Sequence, residues 1–426
     1  MEANALLDHA SALVRRVLQF RQPADAEVAA YFRAHRSLGP RERHALADTV
    51  YALLRRLPSL RYLAADATAA VAVEGVALRR LAALAWCGDR ELLQAALDPR
   101  ERSWLLEAAA VDPATLPEAL RHNLPAWLAV ALQASLGTAE FWSLVEALDR
   151  PAPLDLRVNV LKARRDEVRR SLSALGIGAE PTPHSPLGLR LAGKPGLQKL
   201  GPFTHGEVEV QDEGSQLVAL LVGARRGELV VDFCAGAGGK TLALGAEMRD
   251  TGRLYAFDVS GHRLAALKPR LARSGLSNVH TVQIAHERDQ RIERLAGKID
   301  RVLVDAPCSG LGTLRRSPDL KWRQSPTGLA ELQQRQAAIL ESAARLVKPG
   351  GRLVYATCSL LESEGEAIAD AFSAAHRRDF AAVAAAPVLA RAQVAEAESL
   401  TQGERLRLWP HRHGTDGFFA ALWTRH

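Results

Sequence analysis

The chain of 426 residues carries a net charge of +7 and an apolar content of 48%, long enough for two or three domains and ordinary for a globular protein. No apolar run approaches the ~18 residues of a membrane span, and the opening MEANALLDHASALVRR has an acidic residue at position 2, unlike a signal peptide, so a cytoplasmic protein is expected. Cysteines at 87, 234, 308 and 358 form no C-x-x-C pair and no zinc-like spacing, which argues against a disulfide framework or a metal cage, while the basic balance favours an anionic partner only weakly.

Residues 1–148 read as helices. Leu6, Ala10, Leu13, Val14 and Val17 recur at the spacing that lays one apolar stripe along a helix. Ala45, Leu46, Val50, Leu53, Leu54 and Leu57 repeat the pattern after SLGPRER, where Pro40 suits a first turn. Prolines at 151 and 153 mark a linker, then LDLRVNVL predicts a strand and the arginine-rich run after it a helix. Residues 149–206 are expected to form a small α/β insert. From 207 to 426 strand and helix alternate: ELVVDF, RLYAFD, NVHTVQI, IDRVLVDAP and GGRLVYATC are strands, and DGFFAALWT closes the chain. That alternation implies a parallel, doubly wound sheet with its ligands at the carboxyl ends of the strands, where Cys308 and Cys358 fall.

DFCAGAGGKT is a glycine-rich turn between strand and helix, of the kind that lets backbone approach a ligand. A P-loop reading matches Gly239-Lys240-Thr241 but finds Cys234 where the first glycine belongs. A dinucleotide reading matches Gly236 and Gly238 but finds Thr241 at the third glycine. Asp258 ends the next strand, where a carboxylate can accept both hydroxyls of a ribose. Nothing in the loop demands a diphosphate, which makes S-adenosylmethionine the natural ligand. A helix N-cap is the bland alternative for Asp258.

The cysteines then need a methyl acceptor. Carbon 5 of a pyrimidine is a poor nucleophile until a thiolate adds at carbon 6 and leaves an enamine. Such chemistry asks for a cysteine, an acid near ring nitrogen 3 and a group that assists release. Asp305, Cys308 and Cys358 can supply all three, and the residues alone leave open which cysteine attacks. The alternative is that both are small buried hydrophobes.

DFCAGAGGKT, FDVS, DRVLVDAPCSGLGTLRRSPDLKWR and LVYATCSLLESEGEAI resemble the successive motifs of the RsmB/Nop family of RNA 5-cytosine methyltransferases. LDLRVNVLKARRDEV, GEVEVQDEGSQLVA and HGTDGFFAALW extend the likeness from about residue 150 to the end, and SLGPRERHALADTVYALLRR is similar to the NusB-like helical domain of the bacterial ribosomal RNA members. The resemblance implies a Rossmann-like doubly wound methyltransferase sheet over 207–426, an all-α NusB-like RNA-binding domain over 1–148 and an RNA-binding insert between them. It implies Cys358 as nucleophile, Cys308 in product release and Asp305 between cofactor and cytosine. Cys234, Ala235, Gly236, Ala237, Gly238, Gly239 and Lys240 would wrap the methionine end of the cofactor, and Asp258 the ribose. Two departures stand out: Gly236-Ala237 where the family reads Ala-Pro, and His286 where it carries an aspartate near the adenine, with Asp289 three residues on. The adenine contact is therefore unassigned. The expected partner is an RNA, ribosomal in the first instance, bound by a monomer with no metal and no membrane. Arg315, Arg316, Lys321 and Arg323 around Trp322, and Lys162, Arg164, Arg165, Arg169 and Arg170 in the insert, would track phosphates while the indole stacks on an extruded base. A non-catalytic RNA-binding assembly factor and a P-loop ATPase remain the competing readings.

Overall fold

The stripe Leu6, Ala10, Leu13, Val14 and Val17 lies on one face of the helix Ala3–Val17, each residue at most 4% exposed. Leu46, Val50, Leu53 and Leu54 are likewise buried on Pro40–Arg55, where Pro40 opens the first turn; Ala45 is half-buried. The computed structural model describes residues 2–65 and 74–426. Its chain divides into one unit of Met1–Pro151 with Thr313–Pro326, and another of Ala152–Gly312 with Thr327–His426.

The first unit is helical among the described residues, and Ala24–Ala34, Leu57–Ala64 and Glu74–Leu84 pack their apolar sides into one core with the two helices above. Ala126–Leu148 corrects the expectation that no apolar run reaches membrane length: its 23 residues suffice by length and composition. Its backbone breaks at Gly137 (φ 73, ψ 169), and Leu128, Leu132, Phe141, Leu144 and Leu148 are buried in the protein interior. The segment Thr313–Pro326 also belongs here, although the sequence reading gave it to the sheet domain. Asp319 Oδ2 accepts from the backbone N–H of Ala24, 3.2 Å away, at the first turn of Ala24–Ala34.

In the second unit a four-stranded antiparallel sheet has the order β2-β3-β1-β4, with β1 Leu154–Val158, β2 Ala179–Pro181, β3 Gly188–Leu191 and β4 Val208–Val210. A boundary after residue 206 cuts off β4, so the insert runs further than its proline- and glycine-rich loop suggested. Glu209 of β4 pairs with Arg270 and Arg273 on the helix Gly261–Ser274, which ties this sheet to the larger one.

The larger sheet has nine strands: β5 Leu229–Asp232, β6 Arg253–Asp258, β7 Val279–Gln283, β8 Ile299–Asp305, β9 Val347–Thr357, β10 Phe380–Val383, β11 Thr401–Gln402, β12 Arg405–Leu408 and β13 Phe418–Arg425. β7-β6-β5-β8-β9 are parallel neighbours in that order, and β13, β12 and β11 continue antiparallel while β10 pairs with β13. Side chains alternate between the two faces with the period of a strand. Val230, Leu303, Val354, Ala420 and Leu422 feed one core; Val231, Val302, Val304, Leu353, Tyr355, Phe419 and Trp423 feed the other. The strand order reverses between β5 and β8, which makes the crevice at their carboxyl ends the place for a ligand.

Candidate active site

The turn after β5 depends on two glycines in the left-handed region, Gly236 at φ +56° and Gly238 at φ +85°. A Cβ on Gly238 would stand 2.1 Å from Leu267 Cδ1, whereas one on Gly236 meets nothing within 4 Å, so the loop packs tightly at one glycine and faces open space at the other. Asp258, at the end of β6, is 5% exposed and takes the N–H of Gly236 on Oδ2 at 2.8 Å and that of Ser260 on Oδ1 at 2.7 Å. The cap of the following helix is the Ser260 hydroxyl, bonded to Arg263 N–H, and not Asp258. Ala235 and Gly238 are buried, and Ala237 O accepts from Arg270. The Cys234 side chain turns into the core beside the sheet, and burial pushes its thiol well above the ordinary value. Only its backbone is available to the loop.

Lys240 and Thr241 decide the P-loop question. In a P-loop the lysine reaches phosphates and the hydroxyl binds magnesium. Here Lys240 Nζ is 2.6 Å from Asp305 Oδ2, across from β8, with the Phe418 ring 5.2 Å below it. Burial alone would lower its pKa, but the Asp305 carboxylate beside it raises the balance above the ordinary lysine value, so the ammonium stays charged. Thr241 Oγ1 donates to Asp232 Oδ2 at 2.7 Å, behind the loop. Both side chains are committed within the protein, and the arrangement is a buried ion pair, not a phosphate cradle. Asp232 is itself a residue that the sequence reading passed over: burial pushes its carboxyl up to about 7, and its Oδ1 has no hydrogen-bond partner.

Register brings the cysteines together. Asp305 pairs with Ala356 across β8 and β9, so the chain leaves both strands side by side. Cys308 Sγ and Cys358 Sγ lie 3.4 Å apart. The Cys308 thiol is pushed well above its ordinary pKa by its hydrogen bond to Cys358 and by burial. Behind them Glu364, wholly buried, accepts from Ser309 beside Cys308, Ser359 beside Cys358, and Gln336. Neither Glu364 nor Gln336 was assigned a role from the sequence: Glu364 lies within the family-like stretch LVYATCSLLESEGEAI and Gln336 in a helix, and nothing local marks either as a partner of the two loops.

Other expected residues lie elsewhere. Asp289 is occupied by Ala285 N–H, its own helix turn and the Arg291 guanidinium, which together hold its carboxyl far below the usual range. His286 is exposed and accepts from Arg288 N–H. Trp322 is corrected from base-stacking platform to core: its indole N–H donates to Leu54 O at 2.8 Å and the ring packs in the helical unit. Lys321 is 4% exposed and donates to Arg55 O at 2.8 Å. In the insert Lys162 donates to His205 O and Arg273 O and Arg165 to Ser185 O, while Arg164 and Arg170 stay exposed.

A doubly wound sheet with a glycine loop after its first parallel strand and a carboxylate at the end of the second is a Rossmann-like nucleoside-cofactor fold, here of the methyltransferase type. Residues 219–424 match the family model described as 16S rRNA methyltransferase RsmB/F, and 124–198 match that of the RsmF/B-like ferredoxin-like domain. A relative from Synechocystis is 38% identical over 302 residues, 71% of this chain and 66% of its own length. The ribosomal RNA small subunit methyltransferase B of Sodalis glossinidius is 37% identical over 62% of this chain and 61% of its own, and that of Serratia proteamaculans 32% identical over 76% and 70%. The aligned part is thus a little under two thirds of the Synechocystis and Sodalis proteins. The crystal structure of PH0851 superposes with a TM-score of 0.79 at 25% identity, over 99% of this chain and 98% of its own. A methyltransferase homologue from Pyrococcus horikoshii gives 0.61 at 28% identity, over 74% and 100%. The chain belongs to the RsmB/F family of methyltransferases.

Proposed function

We propose that the protein transfers a methyl group from S-adenosylmethionine to carbon 5 of a cytosine in RNA, with small-subunit ribosomal RNA as substrate, through a covalent bond between Cys358 and carbon 6. The observation that carries this reading is the pair of thiols 3.4 Å apart at the ends of neighbouring strands, beside the Lys240–Asp305 ion pair. Two thiols in contact have no use in an adenosine site alone, and family membership supports methylation of ribosomal RNA.

The residues present fit the cofactor. Asp258 Oδ1 and Oδ2 each accept one backbone N–H and retain a lone pair for a ribose hydroxyl, and the open side of Gly236 leaves room beside them. Bound there, S-adenosylmethionine supplies an electrophilic methyl group. Cys358 adds through sulfur to carbon 6, and the electron pair displaced from the ring double bond makes carbon 5 nucleophilic. Asp305 holds a proton at ring nitrogen 3 as charge builds in the ring. After carbon 5 is methylated a base takes its proton, the electrons of that C–H bond re-form the double bond, and the sulfur–carbon bond breaks with sulfur leaving as the Cys358 thiolate. Cys308, touching the departing sulfur, serves that release. The cytosine reaches this crevice only once it is out of its stack. Arg164 and Arg170 of the insert are placed to meet phosphate, and the helical unit, NusB-like by resemblance, adds RNA affinity.

The test incubates each cysteine variant with S-adenosylmethionine and target RNA. Cys358→Ala is expected to lose both methylation and the covalent adduct. Cys308→Ala is expected to attack and methylate but release slowly, leaving a protein–RNA adduct on denaturing gels. An adduct in Cys358→Ala that vanishes in Cys308→Ala would reverse the two roles.

A further inference from the structure

The two cysteine loops are separated by 50 residues of chain, and β8 and β9 align their stems but do not fix where the tips lie. A single carboxylate spans them. Glu364 is 0% exposed and lies just beyond the second loop, as the last residue of the turn Glu362–Glu364 that precedes Glu366–Ala375. Its Oε1 accepts from Ser309 N–H at 2.8 Å and from Gln336 Nε2 at 2.9 Å; its Oε2 accepts from the hydroxyls of Ser309 and Ser359. Gln336 in turn donates to Pro307 O at 3.0 Å, and Tyr355 OH holds the backbone carbonyl of Glu364 at 2.7 Å. Ser309 and Ser359 each follow their cysteine directly, and each is at most 1% exposed. Four donors from three segments therefore converge on one carboxylate, which joins the residues that directly follow the two thiols. A buried charge held this way is costly unless every lone pair is used, and here the satisfied network specifies one arrangement.

We propose that Glu364 is a positioning residue that holds the Cys308 loop against the Cys358 loop, so that attack and release occur at one ring carbon. This rests on the cysteine chemistry proposed above only for its consequence, since the spacing of the thiols can be read without any methylation. Glu364 hydrogen-bonds the residues that follow the two sulfurs, Ser309 and Ser359, and positions the thiols through them. Glu364→Gln keeps the volume but replaces one acceptor oxygen by an NH2 group: at the Oε1 position it opposes the Ser309 N–H, at Oε2 both serine hydroxyls must turn round to accept, and in either case the charge-assisted bonds are lost.

Phenylarsine oxide reads the spacing directly. Its arsenic bonds two neighbouring sulfurs while both thiol protons leave with its oxygen as water. In the full-length wild-type protein one arsenic is expected to bridge Cys308 and Cys358 in peptide maps. In Glu364→Gln the bridging affinity is expected to fall about tenfold or more, as loss of charge-assisted bonds dictates, while affinity for S-adenosylhomocysteine at the Asp258 side is retained. kcat on target RNA should drop by a similar factor with KM little changed, a split that general loosening would not give. Ser359→Ala, which removes one link and leaves the carboxylate, gives the same direction if Glu364→Gln folds poorly. Wild-type bridging in both variants, or no bridging in the wild type, overturns the proposal. Bridging lost in the variants of a protein that methylates no cytosine upholds it and overturns the proposed reaction instead.

Discussion

On the β5–β6 side of the crevice a carboxylate is held by backbone alone, while on the β8–β9 side one is held mostly by side chains. Asp258 takes its two N–H groups from the glycine loop and from the turn two residues on. Glu364 takes two side-chain hydroxyls, a side-chain amide and only one backbone N–H, from residues as far as 55 positions away. Backbone donors come with the turn itself, so the first arrangement survives any substitution that preserves the turn. The second depends on each named side chain being present. A site built from both can keep its cofactor half intact while its thiol half is retuned.

The strongest way to break that contrast is Gly238→Ala. The left-handed φ and the 2.1 Å approach to Leu267 together should cost about 2–4 kcal/mol and displace the loop, abolishing S-adenosylhomocysteine binding in calorimetry. Retained binding would show that the loop does not depend on its glycine. Asp258→Ala comes next: two ribose hydrogen bonds at about 1.5–3 kcal/mol each predict at least a tenfold loss of cofactor affinity, with the arsenical bridge between the cysteines unchanged. If bridging falls as well, the two halves are coupled and the contrast is wrong.

Smaller effects lie in the pH dependence of stability. Between the ordinary aspartate value of 3.8 and about 7 the folded chain binds a proton on Asp232 that the unfolded chain has lost. This contribution is therefore fully present below the lower value and declines as pH rises through the window. Glu247, raised to about 8 by burial, adds the same sign. Asp232→Asn should leave only the Glu247 contribution to the pH dependence of the variant's urea midpoint between pH 4 and 7, so the wild-type-minus-variant difference should itself decline across that window, and a constant difference would place the titration elsewhere. In the helical unit Lys321 is lowered to about 7 by burial, so from there to 10.5 the unfolded chain binds the extra proton and stability rises with pH. Lys321→Met should remove that rise, and an unchanged slope would place the titration elsewhere.

What the sequence disclosed follows the same division. The glycine loop, Asp258, Asp305 and both cysteines stand at the ends of apolar runs of strand length, and period and punctuation alone locate them. β10, β11 and β12 went unread because their short antiparallel pairings leave no run of their own. The burial of Glu364 was invisible for another reason: a buried glutamate differs from exposed Glu362 and half-buried Glu366 only through partners distant in sequence, such as Ser309 and Gln336, which no local pattern reveals. Trp322 misled because it lies close after Cys308 in sequence while its ring packs in another unit.

That excursion of Thr313–Pro326 has a consequence for how the protein is made. The ribosome delivers the helices first, but the carboxylate of Asp319 at Ala24 and the indole at Leu54 are missing until the later segment emerges. At about 5–20 residues per second, translating residues 152–326 takes roughly ten to thirty seconds, during which the nascent helical unit lacks part of its own core. A gene fragment ending between the units therefore encodes an unfinished first domain, and one beginning there carries Asp319, Lys321 and Trp322 without the backbone groups of Ala24, Arg55 and Leu54 that they bond.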